Sequence, residues 1–121
     1  MEKIALALDP SGNVEQFMFN DKNCLALFQE RVNGYIQPVD LPKQGWNMVV
    51  NEEGKLQELP YNEYGTLLWE LNYGVLTDAI MGTIVLTSIE VGDDGETIGL
   101  THYDIIAINK LISEYKKIWE G

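Results

Sequence analysis

The chain has almost none of the side chains that carry covalent or metal chemistry. Its 121 residues include one cysteine, Cys24, and one histidine, His102. A single cysteine excludes an internal disulfide and fits a reducing compartment. Two Cys/His residues far apart in sequence do not make a zinc site, which draws on several such ligands. No serine sits in a G-x-S-x-G elbow. No glycine pattern of the P-loop or dinucleotide-binding type follows a strand. No apolar run approaches the roughly 20 residues of a membrane span. The start, Met1-Glu2-Lys3-Ile4-Ala5, lacks the basic-then-apolar pattern of a secretory leader. The expectation is a non-enzymatic cytoplasmic protein without cofactor, metal or membrane partner.

Basic residues are also scarce. Eight Lys and Arg face nineteen Asp and Glu, for a net charge of −11. Between Leu56 and Asn109 there is no Lys or Arg, while Glu58, Glu63, Glu70, Asp78, Glu90, Asp93, Asp94, Glu96 and Asp104 all fall there. Nucleic-acid binding calls for clustered cations against phosphate, so direct binding of DNA or RNA is not expected. The acidity reads either as a solubility device or as a face that meets a basic partner.

Hydrophobic residues make up 45% of the chain, enough for a real core at this length. Lys3–Leu8 and Val14–Phe19 flank the turn cluster Asp9-Pro10-Ser11-Gly12-Asn13 and read as a β-hairpin. Asn20 caps a helix expected from Asp21 to about Val32, ended by Asn33-Gly34. Tyr35–Leu41 is extended, and Pro38 makes it an edge strand. Trp46–Val50 reads as a strand, Glu52-Glu53-Gly54 as a turn, and Lys55–Leu59 as an antiparallel return. Asn62 caps a short helix over about 63–71, in which Gly65 costs about 1 kcal/mol relative to Ala. Thr83–Val91 is a β-branched strand; Gly92-Asp93-Asp94-Gly95 turns it toward a return over Glu96–Leu100. Thr101 and Asp104 form a capping box for the last helix. The pattern is a single α+β domain over 1–121, a mostly antiparallel sheet with about three helices on one face.

Site candidates follow from these elements. Cys24 falls on the apolar side of its helix and reads as core; His102 reads as a surface residue of the last helix. Asp93-Asp94-Gly95-Glu96 offers oxygen ligands but lacks the spaced pattern of an EF-hand loop, so it reads as a solvated turn. Tyr61, Tyr64, Trp69 and Tyr73 lie close in sequence, near Asn62 and Asn72. Such a cluster reads as core or subunit-interface packing, or as a stacking site for a flat ligand. Lys55 is the last cation before the acidic stretch, so any anion-binding role nearby falls to it. The binding candidates are Asn51, Glu53, Lys55, Glu58, Tyr61, Asn62, Glu63 and Tyr64.

One ordered set of motifs extends this reading. Asn33-Gly34-Tyr35-Ile36 is followed by Asn51-Glu52-Glu53-Gly54-Lys55-Leu56, Leu59-Pro60 and Asn62. Asp78-Ala79-Ile80-Met81-Gly82-Thr83 comes next, and then Gly99-Leu100-Thr101 before Asp104-Ile105. This set resembles a family of small proteins of unknown function carried by phages and bacterial mobile elements, over about residues 1 to 112. Gln37 stands where the family often has an acid, and Glu63-Tyr64 where it has Arg and a small residue. The resemblance implies an accessory role inside a bacterial cell, such as host takeover or counter-defence. It supplies no catalytic residues.

Two functions are weighed. One is an acidic protein-binding modulator of a host factor. The other is a small-molecule binder that sequesters a nucleotide signal through the Tyr/Trp/Asn cluster and Lys55. A homo-oligomer fits either, and a small enzyme of unspecified reaction is a third reading.

Overall fold

The structure, a computed structural model, describes residues 2–120, with side chains through Ile118. Met1 and Gly121, the ends of the expected domain, lie outside the described residues. Among the described residues the chain forms strands β1 (Lys3–Leu8), β2 (Val14–Phe19), β3 (Ile36–Leu41), β4 (Trp46–Asn51) and β5 (Ile84–Ser88). The helices are α1 (Cys24–Val32), α2 (Glu63–Tyr73) and α3 (His102–Glu120). One sheet has the order β2-β1-β5-β4-β3, with every neighbouring pair antiparallel. The class is α+β, as the sequence implies.

The three central strands are apolar on both faces, and this decides the layering. In β1, Leu6 and Leu8 point to one face and Ala5 and Ala7 to the other. In β5, Ile84 and Leu86 oppose Val85; in β4, Trp46, Met48 and Val50 oppose Val49. A sheet apolar on both sides needs cover on both sides. Tyr64 and Leu68 of α2 and Ile108 and Ile112 of α3 pack on the Leu/Ile/Trp face. Phe28 and Val32 of α1 pack on the Ala/Val face, where Phe28 meets Phe17 and Phe19 edge-on at 6.1 and 5.1 Å. The expectation of all helices on one face is therefore corrected: α1 lies opposite α2 and α3.

Two expected return strands are also absent, for one reason. The residues after β4 and after β5 were expected to pair back on them. Both strands already have neighbours on each side, so neither offers a free edge. Residues 52–58 instead close through turns, with Gln57 N–H donating to the Glu53 carbonyl (2.9 Å) and Leu59 N–H to that of Gly54 (3.1 Å). Beyond β5 the returning segment is held by an isolated bridge, Val91 with Thr97, and by bonds from Ser88 N–H to the Ile98 carbonyl (3.1 Å) and from Gly92 N–H to the Glu96 carbonyl (3.0 Å).

Chain ends of the helices follow local chemistry. The Asn20 side chain accepts from the N–H groups of Lys22 and Asn23 (2.9 and 3.0 Å), holding a turn that delays α1 to Cys24. Asn33 ends it in the left-handed region at φ 63°. The Asn62 side chain accepts from Gly65 N–H (3.0 Å) to cap α2. Thr101 and Asp104 exchange the capping-box bonds at 3.1 and 2.8 Å.

Candidate functional site

The expected site does not assemble as one pocket. Asn51 is buried, and its amide nitrogen donates to the carbonyls of Val32 (3.0 Å) and Asn33 (3.1 Å), while its oxygen accepts from Glu53 N–H (2.7 Å). That ties β4 to the end of α1. Asn62 is fully buried and donates to the carbonyls of Leu8 (3.0 Å) and Gly82 (2.9 Å). Both amides thus hold backbone together; Asn62 is sealed from solvent, and the Asn51 nitrogen also donates to the Gln57 side chain (3.2 Å). Tyr64 is buried against Tyr115, with ring centroids 5.6 Å apart, and Lys116 lies over its ring. Tyr61 is exposed beside the bridge to Met81, Glu58 is exposed in the turn run, and Glu63 opens α2. Trp69 and Tyr73 meet at 4.4 Å with their rings tilted by 40° near the end of α2, and Trp69 packs, partly buried, against the same core cluster as Tyr64.

Lys55 forms an ion pair with Asp78. Burial alone would push the Asp78 carboxyl up. Hydrogen bonds from Lys55 and the Ala79 N–H, with the Lys55 charge, outweigh it and hold the group below its ordinary value. Asn51, Glu53 and Lys55 do share one open cavity of about 370 Å³, but Glu52 and Asp78 line it too. That charge set disfavours a phosphate. Gly54 lies in the expected turn, its N–H donating to the Asn51 carbonyl (3.3 Å), and it has a second role: a Cβ there would come 3.2 Å from the Met81 carbonyl, so its bareness lets two segments approach. Gly65 is alike, since a Cβ would sit 2.9 Å from the Ile80 side chain.

A larger feature lies on the α1 face. At nine residues α1 spans only about 13 Å. It packs over β4, β5 and β3, and beside its first turns residues of those strands and of the β5–α3 connection are left to line a gap. The result is an open cleft of about 420 Å³. Phe28, Ile36, Pro38 and Val49 form its apolar floor, with Leu25 and Val91 at the mouth, 57% and 70% exposed. Among the described residues, Asp21, Asp40, Glu90 and Glu96 line it, drawn from the turn before α1, from β3 and from the β5–α3 connection, and no Lys, Arg or His does. Lys3 pairs with Asp21 at 2.7 Å from behind, and its ammonium also donates to the Thr97 carbonyl (2.6 Å).

Cys24 lines the same cleft, its Sγ 3.9 Å from the Thr97 hydroxyl. Burial raises the thiol above its ordinary value, against smaller opposing effects from that hydroxyl and from Lys3. It is therefore protonated at neutral pH and a weak nucleophile. His102 lies on α3, across the sheet from Cys24, so the two cannot act as a pair. Among the described residues no three His, Cys, Asp or Glu converge on a metal position. The Asp93–Glu96 segment is a turn, closed by Gly95 N–H to the Gly92 carbonyl (2.9 Å) and by the Glu96 carboxylate accepting from Asp94 N–H (2.9 Å).

Sequence reasoning did not find this cleft. Asp21 and Asp40 stand far in the chain from Glu90 and Glu96, and only the latter two belong to the acidic stretch it singled out. Pro38 was the nearest signal, marking an edge strand beside which a groove can open.

Fold and cavities define a three-layer α+β protein on a five-stranded antiparallel sheet. The family model described as a domain of unknown function (DUF3846) matches residues 1–116, and the chain belongs to that family. No curated protein and no solved structure matches it. No described helix is long and apolar enough to cross a membrane.

Proposed function

We propose that the chain is a non-enzymatic, protein-binding modulator that engages a basic host factor inside a bacterial cell. The observation that carries this reading is the open, apolar-floored cleft lined by four acids and, among the described residues, by no Lys, Arg or His. A surface of that kind attracts cationic partners and repels anionic ones, nucleic acid included. The setting, an accessory protein of a phage or mobile element, rests on the motif resemblance described above. The protonated Cys24 and the isolated His102 support a role in binding over catalysis.

The nucleotide-binding alternative has weaker support. Tyr64, Asn51 and Asn62 are engaged within the fold, and Lys55 is paired among acids. One experiment separates the two. Immobilised protein is exposed to bacterial lysate at low salt, and retained proteins are eluted with a salt gradient. Parallel thermal shifts are run with cyclic and linear nucleotides. The proposal expects basic proteins, eluted by salt and lost when Asp40 and Glu90 are changed to Asn and Gln. Stabilisation by a nucleotide, with no salt-sensitive protein retained, would overturn it.

A further inference from the structure

We infer that the cleft beside α1 takes an extended peptide segment in which basic side chains alternate with apolar anchors. This rests on the protein-binding reading above and names the element of the partner that is recognised.

Three observations point to it. First, the floor is apolar while the four lining acids come from three segments around it. The acids do not converge on one point, as a single ion would require. They suit several separated cations flanking an apolar side chain. Second, about 420 Å³ holds a few side chains, which a short linear segment can insert. Third, the segment is held by its side chains and not as an added strand. Tyr35 accepts from Glu52 N–H across the β3–β4 pair, so by alternation the backbone of Ile36, Pro38 and Asp40 faces outward from the sheet. Pro38 has no N–H to offer, and the Asp40 carbonyl already accepts from the Tyr73 hydroxyl. The edge of β3 is thus a poor template for strand addition.

The test uses three short labelled peptides of alternating composition: Lys/Leu, Lys/Ser and Glu/Leu. Binding is read by fluorescence anisotropy. Occupancy of the cleft is read separately by the rate at which a maleimide alkylates Cys24, the only thiol in the chain. The Lys/Leu peptide should bind and slow alkylation. Lys/Ser should bind about tenfold more weakly, and Glu/Leu not measurably. The double variant Leu25→Ser/Val91→Ser alters only mouth residues that are exposed in the folded chain, and should weaken Lys/Leu binding about tenfold. Binding of Lys/Leu with unchanged alkylation and unchanged affinity in that variant would overturn the cleft assignment while leaving a basic partner intact. Equal binding of Glu/Leu would overturn the charge argument. No binding of either lysine peptide, together with no salt-eluted basic protein from lysate, would remove the protein-binding reading itself.

Discussion

Asn62 shows how much one side chain can hold. Its oxygen caps α2, and its nitrogen joins the end of β1 to the start of β5 through the Leu8 and Gly82 carbonyls. Asn62→Ala removes a cap worth about 1 kcal/mol and leaves two buried carbonyls without this donor, at about 1–3 kcal/mol more. Urea denaturation should show a loss of at least about 2 kcal/mol, and a loss below about 0.5 kcal/mol would show that water or relaxation replaces all three bonds. The cap was legible, because an Asn before a helical pattern is a local signal. The bridging role was not, because its carbonyls lie 54 and 20 residues away. Asp78 allows a pH prediction. Its folded pKa lies below the ordinary 3.8, so its ionised form is favoured by folding. Its contribution is present above that ordinary value and is lost as pH falls through the folded one. Asp78→Asn should therefore be less stable than the parent at pH 6, by no more than about 1 kcal/mol for so exposed a pair. The difference should close below about pH 3.8 in denaturation curves taken across the acid range; a gap independent of pH would assign the effect to packing.

Elements were read well where the signal was local and poorly where it depended on neighbours. The caps at Asn62, Thr101 and Asn33, the Asp9 turn and the edge position of β3 all follow from residues within a few positions of one another. The return strands failed because pairing depends on which edges remain free. The layering failed because two-sided burial of β1 and β5 shows only when Ala5 and Ala7 count as a face as much as Leu6 and Leu8. Two predictions belong to this scale. Asp104 closes the capping box of α3 and also accepts from the Trp46 indole N–H at 3.1 Å, tying the helix to β4. Asp104→Ala should cost about 1–3 kcal/mol, and Thr101→Ala, which leaves the Trp46 bond in place, only about 1; equal losses in thermal denaturation would mean that the Trp46 bond adds nothing. Pro38 leaves β3 without an N–H at the middle of its outward edge. Pro38→Val restores it and should increase self-association with concentration in sedimentation velocity. An unchanged concentration dependence would show that the Tyr73 hydroxyl and neighbouring acids protect the edge without it.

At the scale of the whole molecule the charge imbalance dominates. The total was plain from composition, but its arrangement was not, since Asp21 and Asp40 join Glu90 and Glu96 only once α1 and β3 have packed. The described ion pairs, Lys3–Asp21, Arg31–Glu15 and Lys55–Asp78, engage only three of the nineteen acids. A net charge of −11 on so small a fold makes compactness work against self-repulsion, while the three pairs work for it. Salt weakens both, and the sign of the response shows which is larger. Raising NaCl from about 0.01 M to about 0.1 M shortens the screening length from about 30 to about 10 Å, which damps long-range repulsion but barely touches pairs in contact. The melting temperature should therefore rise, by ~4 °C for each ~1 kcal/mol of repulsion relieved. Asp93→Asn/Asp94→Asn lowers the magnitude of the net charge without disturbing the Glu96 bond that closes their turn. This variant should melt higher than the parent at low salt and gain less from added NaCl. A melting temperature that falls with salt would mean that local pairs outweigh the global field. It would also weaken the case for the acidic surface as the feature that selects a basic partner, because the long-range potential on which that selection depends would be too small to register even in the protein's own stability.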